Sequence, residues 1–229
     1  NTIQQYGEKA LDKLRGMFGF AVWNEKEQTL MLARDFFGIK PVYYAEIDGH
    51  FVFASEIKSI LVFPGYERKV NQKALEQYLS FQYSPLEETF FKGIYKLMPG
   101  HMLLYKNGSY EIKTYFKPKL TPGQWDHKTN MAQLRSQLSE ILKDSVKHHM
   151  LSDVEVGAFL SGGVDSGYLA SSSGADQAFT VGFDEGDRYS EVNKAAKVAE
   201  KVGLKHHVKI ISKQEFWDAL PDVMYHMDE

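Results

Sequence analysis

The sequence predicts an α+β fold followed by an α/β fold, in that order along the chain. In the first half, period-two apolar segments are separated by tight-turn pairs such as Asp48-Gly49 and Asn107-Gly108, which is typical of antiparallel hairpins. After them, helical spacing alternates with apolar strands, which indicates parallel β/α units. Between the two, the sequence is rich in Pro and Gly and has no period. We therefore predict a domain over 1–117, a linker over 118–128 and a second domain over 129–229.

The first domain is predicted to contain hairpin strands and a helix. The strands fall at 17–23, 29–33, 42–45, 50–54, 102–105 and 110–115. Asn71 is a plausible N-cap for a helix through Leu79. Arg34-Asp35 closes a strand and has two interpretations, a catalytic pair or, more simply, a salt bridge that fixes the strand end.

The second domain is predicted to alternate helices with strands. Apolar residues at helical spacing between Leu134 and Val146 indicate a helix. A strand over 154–160, a Gly-rich turn, a short helix, a strand over 178–183, a helix over 190–202 and a strand over 207–211 follow. This order predicts a parallel sheet with crossover helices.

Composition describes an ordinary globular protein and excludes several kinds of site. The 229 residues include 27 Lys+Arg against 30 Asp+Glu, a net charge of −3, and 43% hydrophobic residues. With no cysteine, this sequence contains no disulfide, no thiolate metal ligand and no cysteine nucleophile. Neither half is basic enough for a nucleic-acid partner, and no apolar run is long enough for a membrane helix. We expect a cytoplasmic location. The missing initiator Met and the abrupt end further lead us to expect a fragment.

The segment Ser161-Gly162-Gly163-Val164-Asp165-Ser166 carries the strongest chemical signal. It lies after a predicted strand and before a predicted helix, where glycines let backbone N–H groups approach an anion and the helix N-terminus adds a positive dipole end. The segment lacks the Lys of a Walker A loop, which disfavours a kinase or GTPase. Asp165 would repel a phosphate directly, so its expected role is to orient a loop N–H or to hold Mg²⁺. The alternative is an ordinary strand-to-helix turn with a cap.

Two other groups of polar residues have competing interpretations. His206-His207 suggests a metal site, but neighbours on a strand point to opposite faces and cannot bind one ion together. Glu191 opens a helix and is a candidate outer-shell ligand of a Mg-pyrophosphate, against the simpler reading that the helix dipole favours an acidic residue there.

Ser-Gly-Gly-x-Asp-Ser resembles the pyrophosphate loop of ATP pyrophosphatases, and the whole chain resembles the glutamine-hydrolysing asparagine synthetase family. The segments that carry this resemblance are 15–23, 33–44, 53–58, 99–101, 152–166 and 179–183. The resemblance implies the later part of an Ntn-type antiparallel glutaminase sandwich, followed by the start of a parallel, adenine-nucleotide α-hydrolase-like synthetase domain.

The resemblance also implies roles for individual residues. The residues that would bind the β and γ phosphates of ATP are Ser161, Gly162, Gly163, Asp165 and Ser166. Those that would contact the adenine, through backbone groups and apolar surface at two strand ends, are Phe159, Leu160, Val181 and Gly182. The implied metal is Mg²⁺, with Asp165 as a ligand and Glu191 outside it.

The implied reaction is an ATP-dependent amide ligation in amino-acid biosynthesis. The β-carboxylate of aspartate attacks the α-phosphorus, pyrophosphate leaves, and ammonia from glutamine converts β-aspartyl-AMP to asparagine. Expected partners are aspartate, glutamine and ATP, with a homodimer also open. The family's nucleophilic N-terminal Cys and its later synthetase motifs fall outside this sequence, so we assign no catalytic residue here and expect the chain alone to be inactive. Two alternatives stay open, a β-lactam synthetase-like adenylating ligase and an ATP-binding module without catalysis.

Overall fold

A computed structural model describes residues 2–120, 130–184 and 190–228 of the chain. Its contacts form two units. The first runs up to Leu120 and includes the chain end from Met224, and the second contains the residues between. Most of the predicted linker, 118–128, lies outside the described residues, and the predicted domain limits stay a prediction.

The first unit contains short helices and two antiparallel sheets. Its helical segments are α1 (Thr2–Tyr6), a 3₁₀ helix (Gly7–Lys13), α2 (Ile57–Leu61) and α3 (Gln72–Phe81). Its strands are β1 (Gly19–Asn24), β2 (Thr29–Arg34), β3 (Tyr43–Ile47), β4 (His50–Ala54), β5 (Ile94–Lys96), β6 (His101–Lys106) and β7 (Ser109–Thr114). The sheet orders are β1-β2-β6-β7 and β4-β3-β5.

The predicted hairpins are confirmed, and their turns have the expected geometry. Asn107 and Gly108 join β6 to β7 with φ of 53° and 77°, while Asp48 and Gly49 join β3 to β4 with 48° and 78°. Positive φ at both central residues is what a two-residue hairpin requires. The Asn71 cap is also confirmed, because its side chain accepts from the Ala74 N–H at the start of α3.

Apolar side chains fill both faces of these sheets. One cluster joins the two sheets through Leu30, Leu32, Val42, Tyr44, Leu97 and Leu103. A second lies under the 3₁₀ helix and contains Leu11, Met31, Ala33 and Met102. A third packs α2 against β3 and contains Tyr43, Ala45, Ile47, Ile57, Ile60 and Ile94.

Asp35, at the end of β2, is a buried carboxylate that binds backbone donors. Its side chain is 1% exposed and accepts hydrogen bonds from Phe18, Phe37, Ile39 and Lys40 at 2.9 to 3.3 Å. Burial raises the pKa of Asp35, but the four backbone donors together lower it below its ordinary 3.8. The carboxylate therefore fixes the turn that follows β2.

Arg34 fixes the same turn from the other side. Its guanidinium donates to the carbonyls of Gly38, Lys40 and Leu97 at 2.8 to 2.9 Å. Arg34 and Asp35 thus each fix this turn through side chain to backbone bonds, and the salt bridge between them stays a prediction. Both residues have a structural task, which leaves the catalytic-pair interpretation without support.

The second unit contains helices around a parallel sheet. Its helices are α4 (Met131–His149), α5 (Val164–Ser173), α6 (Val192–Val202) and α7 (Lys213–Met227), the last of which ends in the first unit. Its strands are β8 (Ala158–Phe159), β9 (Gln177–Phe183) and β10 (Lys205–Ile211). The sheet order is β10-β9-β8, and both pairings are parallel.

The strand predicted over 154–160 is wrong in length, since β8 has two residues. Val154 is 76% exposed, and Gly157 lies against the Phe179 ring, so the apolar run before β8 forms no ladder. Residues 154–156 precede the part of the chain that faces β9, which begins at Gln177. Their apolar composition alone is therefore not enough to extend β8.

Small side chains bring the helices of the second unit close to the sheet. The buried cluster there contains Leu160, Ala170, Ala178, Ala195 and Ala199. Gly162, in the turn between β8 and α5, has φ of +76°. A Cβ at this position would lie 2.6 Å from Lys194 Cβ and 2.7 Å from the Ala195 nitrogen of α6. Only glycine therefore lets the turn pass this close to α6.

In the described ranges no helix is both long and apolar enough to cross a bilayer.

Replacing Asp35 by Asn should destabilise the first unit by about 3 kcal/mol at pH 7, because buried N–H donors lose a charged acceptor. Folding depresses the pKa of Asp35, so its stabilisation is present above 3.8 and lost as pH falls through the folded-state pKa. Urea unfolding at pH 7 and pH 3 measures this, and the gap between wild type and variant should narrow at the lower pH. Asp12→Asn, at an exposed position, is the control and should change little. Equal stability of the Asp35 variant and wild type at pH 7 would contradict the assignment.

Replacing Gly162 by Ala should destabilise the second unit by more than the same change at Gly174. Both glycines have left-handed backbone, with φ of +76° and +69°, but a Cβ at Gly174 meets nothing within 4 Å. Gly174→Ala should therefore cost about 1 kcal/mol for conformation alone. Gly162→Ala should cost about 2 kcal/mol more, because α6 must move. Urea titration followed by circular dichroism compares them, and equal losses would show that the approach of α6 is not restrictive.

Candidate functional site

The predicted loop lies at the carboxyl end of β8, where the chain turns into α5. β8 pairs in parallel with β9, so the ends of both strands meet at one edge of the sheet. This edge is where open α/β sheets bind ligands. Residues 161–166 therefore lie between a strand and a helix, as the sequence predicts, and their role in ligand binding stays a prediction.

The two serine hydroxyls of the loop converge on each other. Ser161 Oγ lies 2.9 Å from Ser166 Oγ, and it accepts from the Gly163 N–H at 3.3 Å. Ser166 Oγ donates to the Gly163 carbonyl and accepts from the Ser161 N–H, both at 3.3 Å. A bound anion can recruit both hydroxyls, because each can rotate its proton away from its present acceptor.

The N-terminus of α5 opens at the same loop. Gly163 is the N-cap of α5, and because it has no side chain it offers no side-chain acceptor to the first N–H groups of the helix. The first intrahelical bond runs from the Gly167 N–H to the Gly163 carbonyl at 3.0 Å. The N–H groups of Val164, Asp165 and Ser166 thus precede the first intrahelical donor, Gly167, and they carry the positive end of the helix dipole. Together with the hydroxyls they suit a polyphosphate.

The two acidic candidates occupy different helix starts. Asp165 is exposed in the first turn of α5. Glu191 is the N-cap of α6, where its carbonyl accepts from Lys194 and Ala195 at 3.1 and 2.9 Å. Among the described residues, no group of three His, Cys, Asp or Glu side chains could hold a metal by itself. Both metal assignments stay predictions.

The four residues predicted to contact adenine lie at adjacent strand ends but on opposite faces of the sheet. Phe159 and Val181 lie on the face of the sheet opposite Leu160, called the open face here, and are 86% and 53% exposed. Leu160 is 2% exposed, and Gly182 packs against Val192 of α6. Only Phe159 and Val181 can therefore offer apolar side-chain surface, and the adenine role of all four stays a prediction.

Two polar residues beside the loop were not assigned to the site from the sequence. Thr180 Oγ1 donates to the Leu160 carbonyl at 2.6 Å and lies 2.7 Å from His206 Nε2. Thr180 is in β9 and His206 is in β10, so nothing in local sequence joins them. The one sequence feature that could have indicated Thr180 is that it is a polar residue between apolar residues of a strand.

The two neighbouring histidines point to different faces, as the sequence analysis expected. His207 stacks on the Phe179 ring with centroids 4.9 Å apart, and its Nε2 lies 2.8 Å from Gln177 Oε1. His206 instead meets Thr180 on the other face of β9. The pair cannot bind one metal ion together.

Comparison with known proteins finds two families along the chain. Residues 1–116 match the glutamine amidotransferase domain, and residues 137–229 match asparagine synthase. Asparagine synthetase [glutamine-hydrolyzing] 1 of Bacillus subtilis is 39% identical over 100% of this chain and 36% of its own length. A putative asparagine synthetase [glutamine-hydrolyzing] of Mycobacterium tuberculosis is 36% identical over 98% of this chain and 35% of its own length. The chain thus spans about a third of the curated relatives that it matches.

Among solved structures, an NH3-dependent NAD synthetase from Campylobacter jejuni matches with 20% identity and a TM-score of 0.27, over 42% of each chain. That similarity is too low to support an argument. The family matches are independent of it. The chain belongs to the glutamine amidotransferase domain family, and its second half continues into a segment that matches asparagine synthase.

Proposed function

We propose that this chain is part of a glutamine-dependent asparagine synthetase, in which its second unit binds the phosphates of ATP. The observation that carries the proposal is the loop of residues 161–166, with converging hydroxyls and an uncapped helix N-terminus at a parallel strand end. The two family matches support the order of the domains. In finer terms, the first unit is the later part of an Ntn-type glutaminase sandwich and the second is the start of an adenine-nucleotide α-hydrolase-like domain.

The proposed reaction places the loop on the leaving group. An oxygen of the aspartate β-carboxylate attacks the α-phosphorus of ATP, the bond from that phosphorus to the α,β-bridging oxygen breaks, and pyrophosphate leaves, which gives β-aspartyl-AMP. Ammonia then attacks the acyl carbon, AMP leaves, and the nitrogen loses a proton to give asparagine. Negative charge builds on the β and γ phosphates in the first step, so donors from Ser161, Gly163 and Ser166 stabilise that transition state.

The adenine would lie beside the open face at the strand ends. Phe159 and Val181 offer apolar surface there, while Leu160 and Gly182 would contribute backbone only. An apolar contact on one side and backbone groups on the other is a common way to hold a flat heterocycle.

The residues present fit a Mg²⁺ ion that is held mainly by phosphate oxygens. Mg²⁺ often uses one or two carboxylates together with substrate phosphates and water. Asp165 is an exposed carboxylate within the loop and would be the protein ligand, with Glu191 outside it. The ion would neutralise charge on the phosphates.

The ammonia would come from glutamine through the glutaminase half. This sequence contains no cysteine, so the proposal assigns its residues no nucleophilic role. The first unit would instead contribute sheet and core to that half.

Titration calorimetry of the chain with Mg-ATP tests the loop. Ser161→Ala should weaken binding about tenfold, since it removes one hydroxyl donor and the acceptor of the Gly163 N–H. Asp165→Asn should weaken Mg-ATP binding but leave metal-free ATP binding equal or stronger, because a repulsive charge is lost. Ser171→Ala, an exposed serine on the same helix, is the control. Identical affinities for wild type and Ser161→Ala would refute the assignment.

The reaction itself is tested on the full-length enzyme that we propose. Incubation with aspartate, glutamine and Mg-ATP should release AMP and pyrophosphate in equal amounts, and their formation should require aspartate. Release of ADP and phosphate would exclude adenylation. Aspartate-independent pyrophosphate release would point to another acceptor.

A further inference from the structure

Thr180 and His206 form a hydrogen-bonded connection from β10 to the residue that precedes the loop. The His206 Nε2 atom lies 2.7 Å from Thr180 Oγ1, and Thr180 Oγ1 lies 2.6 Å from the Leu160 carbonyl oxygen. Thr180 is 5% exposed and Leu160 is 2% exposed. Buried polar groups are normally paired, and these bonds satisfy three of them at once.

The direction of each bond follows from the number of protons available. A carbonyl oxygen only accepts, so the single hydroxyl proton of Thr180 goes to Leu160. Thr180 Oγ1 must then accept from His206, which requires a proton on Nε2. The His206 imidazole therefore donates to the Thr180 hydroxyl, and that hydroxyl donates in turn to the Leu160 carbonyl.

The peptide between residues 160 and 161 passes this constraint to the loop. The Leu160 carbonyl and the Ser161 N–H belong to the same planar trans peptide group, so the direction of one sets the direction of the other. The Leu160 N–H is also fixed, because it donates to the Phe179 carbonyl at 2.9 Å. The Ser161 N–H in turn donates to Ser166 Oγ at 3.3 Å. A continuous path of bonds thus runs from His206 to the loop hydroxyls.

The ladder between β8 and β9 cannot supply this orientation by itself. It has two residue pairs, and the last joins Phe159 to Phe179. Beyond that pair, the Leu160 carbonyl accepts from the Thr180 side chain. The plane of the next peptide therefore depends on a side chain.

We propose that Thr180 and His206 are positioning residues for the phosphate loop, which they orient through the peptide plane between Leu160 and Ser161. This inference rests on the proposed function. Neither side chain needs to touch ATP. Their role is to hold the Ser161 N–H and the hydroxyl pair in the geometry that the phosphates require.

The test is Mg-ATP titration of the chain with variants that break or keep the path. Thr180→Val and His206→Leu should each weaken binding about tenfold, because one bond of the path is lost. Thr180→Ser keeps the hydroxyl and should stay within about threefold of wild type. His207→Leu is the matched control, since the adjacent histidine faces Gln177 and Phe179 instead. It should bind as wild type does.

A spectroscopic readout separates positioning from general destabilisation. In ¹⁵N-edited imidazole spectra, the Nε2 proton of His206 should be protected from exchange in wild type and Thr180→Ser, and lost to exchange in Thr180→Val. The Ser161 amide resonance should move in Thr180→Val and His206→Leu but not in His207→Leu. If Thr180→Val does not fold, His206→Leu decides the result.

The outcomes distinguish the two proposals. If wild type does not bind Mg-ATP, the proposed function fails and this inference fails with it. Wild-type binding with unchanged affinity in folded Thr180→Val or His206→Leu overturns the positioning role alone. Equal weakening by Thr180→Ser and Thr180→Val also overturns it, because the hydroxyl would then not matter.

Discussion

The close approach of α6 to the turn at Gly162 is the constraint on which the second unit depends. A side chain at this position would overlap the α6 backbone, and the buried cluster below it contains Ala170, Ala178, Ala195 and Ala199. Small residues let the helices lie near the sheet, at the expense of apolar area. Because the turn is tight, the N-terminus of α5 points at the strand ends. The geometry of the proposed anion site is thus a consequence of packing.

The same residue type has opposite environments in the two units. Asp35 is buried and receives four backbone donors, so it stays ionised and serves the fold. Asp165 is exposed at a helix start, where its charge is available to a cation. A buried carboxylate that accepts several backbone hydrogen bonds serves the fold, whereas an exposed carboxylate at a helix start can bind a cation.

Local signals predicted much of the fold and the position of the loop. Asn107-Gly108 could be predicted because positive φ at both positions is a property of the residues themselves. The helix α7 was not predicted, although Ser212 and Glu215 form a capping box at its start, because Pro221 interrupts the pattern. The bond between Thr180 and His206 joins residues 26 positions apart, and only strand pairing brings them together. The roles of the individual loop residues in binding phosphate stay predictions, because the fold brings their donors together but does not by itself identify a ligand.

The sheet of the second unit is held unevenly, which sets an order for local opening. β9 pairs with β10 through seven residues, whereas β8 pairs with β9 through two. Strands with few ladder bonds open first in the native state, independently of global unfolding. Amide hydrogen exchange at Leu160 should then be faster than within β9. The loop sits on the most easily detached strand, so a ligand that bridges it to α5 would slow exchange there first.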